Sequence, residues 1–369
     1  MDKIKRFIDI QVPVTSCTLR CHYCYITHHR LFSSKLPVFR YNAEFIGKAL
    51  SAERLGGICH INMCGGGETL LPPEMTDITR AILEQGHYVM IVTNGTVTKR
   101  FEEMVQFPPE LLKRLGFKFS FHYLELKARN LLESFFSNIE RVRNAGCSFS
   151  LELTPSDELI PYIDEVKAIC MEKVGALCHV TVARNEQHPE YPLLTQYFRE
   201  EYKKIWGTFE SDLFDFKISV FGEKRKEFCY NGAWGGLLDI GTGLLKACDH
   251  TLLRQNIFSD LQKPINFKAV GCCNLAHCHN AHAWLTLGMI PSLSTPSYSQ
   301  MRNRTDKDGR DWLTPEMKAF LDQKLEDMNI PYSSIKKSLL IPERVGSNLL
   351  WDLSYQGLKL IKKIKKKNR

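Results

Sequence analysis

Short apolar runs alternate with longer amphipathic ones through the first half of the chain, and this alternation narrows the possible folds sharply. Residues 7–14, 58–64, 87–93, 117–123, 147–154 and 177–183 read as strands. Helical patterns follow Tyr41 and cover 73–85, 127–145 and 157–172. Strands this apolar need cover on both faces, and crossover helices provide it, so a parallel sheet wrapped by helices is predicted. In such sheets the working residues collect at the C-terminal strand ends. One rim then carries the cysteines after the first strand, the glycines after the second, and Thr93, Asn94 and Gly95 after the third.

The character changes after about residue 215. Residues 216–290 have shorter strands, more glycine and five cysteines, and 291–369 hold proline-punctuated short helices before a basic tail. Three units are therefore expected: 1–215, 216–290 and 291–369. The net charge of +8 is local, because seven basic residues lie within the last eleven and leave +1 for the rest. That distribution gives no basic groove for nucleic acid. No apolar run reaches the ~18–20 residues that span a bilayer, and the N-terminal stretch lacks a secretory h-region. A reducing, cytoplasmic setting is expected, where the 13 cysteines, being clustered, hold metal or do chemistry.

Cys17, Cys21 and Cys24 form a C-x3-C-x2-C cluster just past the first strand. Three soft thiolates within eight residues suit an iron–sulfur cluster, and a set of three leaves one iron of a four-iron cluster open. A closed zinc site needs a fourth ligand, for which His22 or His28 is the alternative. At the end of the second strand stands Cys64-Gly65-Gly66-Gly67-Glu68-Thr69. Its glycines permit close backbone approach, and Glu68 offers a carboxylate to an ammonium. The pattern of a nucleoside-triphosphate loop is absent.

Together these motifs resemble the radical S-adenosylmethionine (SAM) enzymes, over roughly residues 5–206. The resemblance implies an α/β fold: a partial (β/α)6 TIM-like barrel, with a small C-terminal twitch- or SPASM-like module and a helical tail. It implies a [4Fe–4S] cluster on Cys17, Cys21 and Cys24, with SAM chelating the open iron. Tyr23 would lie against adenine, and Gly65, Gly66, Gly67 and Glu68 would bind the SAM ammonium. Thr93, Asn94 and Gly95 match a frequent turn of the family. Val180 and Val182 are candidates for adenine contact, and Arg184 and Glu186 for the SAM carboxylate or ribose. The chemistry implied is reductive cleavage of SAM to a 5′-deoxyadenosyl radical that takes hydrogen from a substrate. A flavodoxin- or ferredoxin-like protein would supply the electron.

Cys229, Gly243 and Cys248 match the opening of the SPASM and twitch extensions, and Cys272, Cys273 and Cys278 follow. Five cysteines imply one auxiliary [4Fe–4S] cluster, on Cys229, Cys248 and Cys278 with Cys273 or Cys272. A zinc knuckle using His277 or His279 is the alternative. Cys64 and Cys178 are candidates to return hydrogen to a substrate radical, which gives epimerisation rather than oxidation. His122, Tyr123, Glu152 and Thr154 are candidates for substrate contact. With Cys17 so early, no leader-recognition domain is expected before the barrel. A carbohydrate carbon, on a lipid-linked glycan for instance, is therefore favoured as substrate over a ribosomal peptide. A non-enzymatic metal scaffold is the third reading. In the tail, a helix after Gly357 would set Leu358, Ile361 and Ile364 among lysines, a pattern suited to an anionic membrane surface.

Overall fold

The computed structural model describes residues 2–188, 190–249 and 251–367, with side chains to 353. It is a mixed α/β fold around one nine-stranded sheet, ordered β6-β5-β4-β3-β2-β1-β7-β8-β9. The first six strands are β1 (Arg6–Val12), β2 (Cys59–Gly65), β3 (Tyr88–Thr93), β4 (Leu115–Phe121), β5 (Ser148–Leu153) and β6 (His179–Val180). They pair in parallel in chain order, each joined to the next through helical segments. Sequential parallel pairing of this kind makes a partial barrel, open here between β6 and β9.

The period of two along the strands decides what faces the helices and what faces the lumen. Ile8, Ile10 and Val12 of β1, Ile61 and Met63 of β2, Phe117 and Phe119 of β4, and Phe149 and Leu151 of β5 enter the main apolar core. Opposite them stand Phe7, Asp9 and Gln11, His60, Asn62 and Cys64, Lys118 and Ser120, and Ser150 and Glu152. The lowest rung of this inner face, Phe7, His60 and Tyr88, is aromatic and is plugged from outside the barrel. Phe7 meets Trp284 edge-on at 4.9 Å and Tyr88 stacks on Phe320 at 3.8 Å, with Tyr298 beside them. Each fully buried ring of this kind contributes roughly 1.5–3 kcal/mol. The plug closes the bottom and leaves the polar upper rungs facing a cavity.

Several predicted elements differ. The helix expected over 127–145 is two helices, Tyr123–Ala128 and Leu132–Asn144, broken at Asn130 with φ 55°, a left-handed position that asparagine tolerates. The helix expected over 157–172 begins as a 3-10 turn, Asp157–Tyr162, containing Pro161, and only then becomes the helix Ile163–Lys173. The sixth strand shrinks to two residues. Beyond residue 216 the chain returns to the same sheet: β7 (Gly235–Asp239) lies parallel to β1, and β8 (Leu244–Lys246) and β9 (Arg254–Asn256) follow antiparallel. A helix over Ser334–Lys367 ends the described chain. The side chains of Leu358, Ile361, Ile364 and the surrounding lysines lie outside the described residues.

Candidate functional site

A cavity of about 490 Å³ opens at the C-terminal ends of the parallel strands. Cys17, Cys21 and Cys24 line it from the loop after β1. Hydrogen bonds hold the loop's backbone in place. The Arg20 guanidinium donates to the Cys17 carbonyl at 2.5 Å, Thr27 Oγ1 donates to the Cys21 carbonyl at 2.9 Å, and Glu125 accepts from the Arg20 amide at 2.9 Å. Asn94 Nδ2 lies 3.5 Å from Cys17 Sγ. Burial, then the Glu125 carboxylate, pushes the Cys21 thiol up to about 12, and burial raises Cys17. Thiols raised in this way, Cys17 and Cys21, become thiolates only beside a strong positive charge. Three sulfurs lining one cavity fit a cationic iron–sulfur cluster, with Cys17, Cys21 and Cys24 as the residues that would hold it.

The glycine turn after β2 is pressed against this loop. Gly67 donates to the Val14 carbonyl at 2.7 Å and Glu68 donates from its amide to the Ser16 carbonyl at 2.9 Å. A Cβ on Gly67 would lie 2.0 Å from that same Ser16 oxygen, so only glycine fits. Both Glu68 oxygens are engaged: Oε1 accepts from Leu70 N–H (2.9 Å) and Thr93 Oγ1 (2.7 Å), and Oε2 accepts from Asn94 N–H (2.7 Å). Burial raises the Glu68 pKa, and these three bonds oppose the rise. A lone pair of Oε2 stays open to a further donor. Across the cavity, Tyr23 Oη is 2.7 Å from His122 Nδ1. Burial holds this imidazole down at about 4 and the phenol well above its usual value, so a neutral phenol meets a neutral ring.

The lower part of the cavity is a polar lumen. Asp9 Oδ1 accepts from Asn62 at 2.6 Å and Oδ2 accepts from Asn280 at 3.0 Å, and burial raises its pKa. Glu152 pairs with the fully buried Arg302. Burial disfavours the Glu152 carboxylate, but Arg302 and Lys118 overcome this and lower its pKa. Lys217 Nζ donates to Thr181 Oγ1 at 2.5 Å. Arg184 reaches Glu186 at 2.5 Å and the His279 carbonyl at 2.8 Å. The Cys64 thiol also lines the cavity, pushed up to about 12 by burial and by Asp9, and so keeps its proton.

Gly65, Gly66, Gly67, Glu68, Thr93, Asn94, Tyr23, His122, Thr154, Val182, Arg184 and Glu186 also line this cavity. Four expected residues do not line it, one of them Glu152, whose carboxylate is taken up by the buried Arg302. Cys178 precedes β6 and faces the core, fully buried and hydrogen-bonded to Cys170. Val180 lies on the same outward face. Tyr123 opens a helix instead of ending β4, which turns its ring into the core. Sequence reasoning missed Asp9, Gln11, Asp249, Asn280, His282 and Lys217, all of which line the cavity. For Asp9 and Gln11 a signal existed: polar residues at alternate positions of an otherwise apolar strand.

A second, smaller and mainly apolar cavity, about 50 Å³, is lined by Cys229, Cys248, Cys273 and Cys278 together. Cys272 is not among them. It faces the C-terminal helix, where Asn348 Nδ2 lies 3.7 Å from its sulfur and donates to its carbonyl at 3.2 Å. Asp249, His279 and Asn280 line both cavities. Among the described residues no three His, Cys, Asp or Glu side chains converge on the point a single ion would occupy. A cluster differs from a lone ion in this respect, because each of its irons takes its own thiolate.

Residues 12–153 match the profile of the radical SAM superfamily. No curated protein matches the chain. Among solved structures the chain is similar to Streptococcus suis SuiB bound to S-adenosylmethionine, at 13% identity and a TM-score of 0.49 over 69% of this chain and 64% of that one. It is also similar to native anSMEcpe with bound AdoMet, at 16% identity and TM-score 0.44, over 70% of this chain and 80% of that one. A third is BtrN in complex with AdoMet and 2-DOIA, at 14% identity and TM-score 0.31, over 70% and 80% respectively. The chain thus spans 64% of the length of the first of these structures.

Proposed function

We propose that this chain, which carries a radical SAM domain over residues 12–153, is an enzyme that inverts a carbon centre of a carbohydrate without net oxidation. The [4Fe–4S] cluster and SAM that such a domain uses supply, when bound, a 5′-deoxyadenosyl radical that removes one substrate hydrogen. Cys17, Cys21 and Cys24 would hold the cluster. Glu68 would hold the SAM ammonium through its open lone pair, and Tyr23, kept in place by His122, would flank the adenine with Val182. Cys229, Cys248, Cys273 and Cys278 would hold an auxiliary cluster.

The reading is carried by Cys64, a protonated thiol in a polar lumen. Its S–H bond is weaker than the C–H bond to be remade, so it can hand a hydrogen atom to the carbon radical. The thiyl left behind returns to thiol by taking one electron from an external donor and one proton from solvent. Asp9 and Asp249 supply the paired acceptors that sugar hydroxyls favour, with Asn280 orienting Asp9. At the surface, the helix from Ser334 exposes Ile335, Leu339, Leu349, Leu350 and Leu353. With the basic residues that follow, this supports contact with an anionic membrane, where a lipid-linked glycan resides.

The test is turnover in D₂O with a reduced flavodoxin and a sugar polymer or a peptide as substrate. One deuterium per product and 5′-deoxyadenosine from the glycan are expected. Cys64→Ala should still release 5′-deoxyadenosine and yield no deuterated product. Product without solvent deuterium would show oxidation instead, and turnover with peptide alone would overturn the substrate class. Flotation with anionic liposomes, comparing the whole protein with a 1–346 truncation, tests the surface reading. Equal failure to bind would refute it.

A further inference from the structure

We propose that Lys217 seats an anionic group of the substrate, a carboxylate or a phosphoryl group. The inference rests on the carbohydrate reading for the body of that substrate. For the charge it rests on the lumen's own cations.

Lys217 belongs to the helix Asp212–Val220, whose N-cap Ser211 also accepts from the Val180 amide at 3.0 Å and so fixes the helix to β6. From there the side chain reaches the cavity wall beside Thr181, Val182, Ala183 and Arg184. Its partner is the neutral Thr181 hydroxyl. Among the described residues no carboxylate lies within ion-pairing distance of Nζ, whereas Arg302 pairs with Glu152 and Arg184 with Glu186. Lys118 shares the fields of Asp9 and Glu152. Among the described residues Lys217 is therefore a cavity-lining cation with no carboxylate in direct contact, the Glu152 carboxylate acting on it only from further off.

A buried ammonium in that position is costly unless something anionic meets it. Consistent with this, burial and then the nearby Arg184 guanidinium lower its pKa to about 7. Two of its three N–H bonds remain for a ligand after the bond to Thr181. An arriving carboxylate or phosphoryl oxygen supplies the missing charge, and Thr181 orients the ammonium that receives it. A charged hydrogen bond of this kind is worth roughly tenfold to a hundredfold in affinity. The seat thus selects acidic or phosphorylated sugars over neutral ones.

The experiment is calorimetric titration of the reconstituted protein, saturated with SAM, using acetate, inorganic phosphate, glucose, glucuronate and glucose 1-phosphate. At least one of the two bare anions should bind, and which one does so identifies carboxylate or phosphoryl as the group recognised. Lys217→Met should weaken that anion at least tenfold and Lys217→Arg should keep it, with the matching charged sugar at least tenfold tighter than glucose on the parent protein. Equal anion binding by parent and Lys217→Met, or binding of neither anion, overturns the seat whatever the sugars do. A matching loss of SAM affinity in Lys217→Met also overturns it, by assigning Lys217 to the SAM carboxylate. If a bare anion depends on Lys217 but no sugar adds affinity to it, the seat stands and the carbohydrate reading fails.

Discussion

Replacing Gly67 by alanine tests whether the glycine turn positions the cysteine loop. The added Cβ would lie 2.0 Å from the Ser16 carbonyl oxygen, 2.7 Å from Ser16 C and 2.8 Å from Thr15 C. These are backbone atoms with no rotamer to yield, and ordinary contact needs ~3.5 Å. One of the two loops must retreat by more than ~1 Å, about twice the ~0.5 Å tolerance of a positioned site. Such a retreat strains or breaks the bonds from Gly67 to Val14 and from Glu68 to Ser16, worth about 1 kcal/mol each. Overpacking adds about 1–3 kcal/mol. The expected result is a destabilisation of ~3–5 kcal/mol and loss of the iron bound next to Cys17. Chemical denaturation and iron content after anaerobic reconstitution would measure both. Gly66→Ala, whose Cβ would meet Val14 O at 3.2 Å, should keep most of the iron. Gly207→Ala, with nothing within 4 Å, should be neutral or gain up to about 1 kcal/mol. Full iron and parental stability in Gly67→Ala would refute the reasoning.

Further outcomes follow from the same geometry. Cys273→Ser should remove the iron of the second site, while Cys272→Ser should leave it in place; iron content and electron paramagnetic resonance distinguish them, and the reverse pattern would transfer the ligand role to Cys272. Sulfate affinity for the parent protein should be steady below about pH 7 and fall about tenfold per unit above it, because Lys217 must be charged to bind and its free pKa is lowered to about 7. Of the groups around Lys217, Arg302, its pKa raised beside Glu152, and Glu152, its pKa lowered by Arg302, stay charged across that range. Burial lowers the pKa values of His277 and His282, so a fall centred below pH 6 would point to them instead of Lys217. Tyr23→Phe removes the bond to His122 and should weaken SAM binding severalfold without loss of cluster iron; unchanged SAM affinity would remove Tyr23 from the cofactor site.

The barrel was legible because β1 to β5 are apolar runs bounded by glycine, asparagine or proline, and their order in the sheet follows their order in the chain. The motifs marked the rim for the same reason: C-terminal strand ends converge. What the local pattern does not carry is partnership over long range. Gly235-Gly236 at the start of β7 reads as a loop, yet it pairs with β1, where a Cβ on Gly235 would strike the Phe7 oxygen at 2.3 Å. Cys178 and Val180 lie in the core and not along the cavity, a facing that a two-residue strand leaves undetermined until its neighbours are placed. Lys217 sits in a helix with an ordinary apolar pattern, and only the packing of that helix on β6 brings it to the lumen. Cys272 and Cys273 are adjacent in sequence and point to different neighbours, a choice made by the C-terminal helix that Cys272 faces.

The central claim is that Cys17, Cys21 and Cys24 hold an iron–sulfur cluster that serves SAM. Iron and 5′-deoxyadenosine should be quantified together in the parent and in the variant with all three changed to alanine. The account predicts about eight irons per chain in the parent and about four in the variant, two clusters against one, with cofactor cleavage abolished. A variant that retains its full iron and cleaves SAM at the parental rate would contradict it.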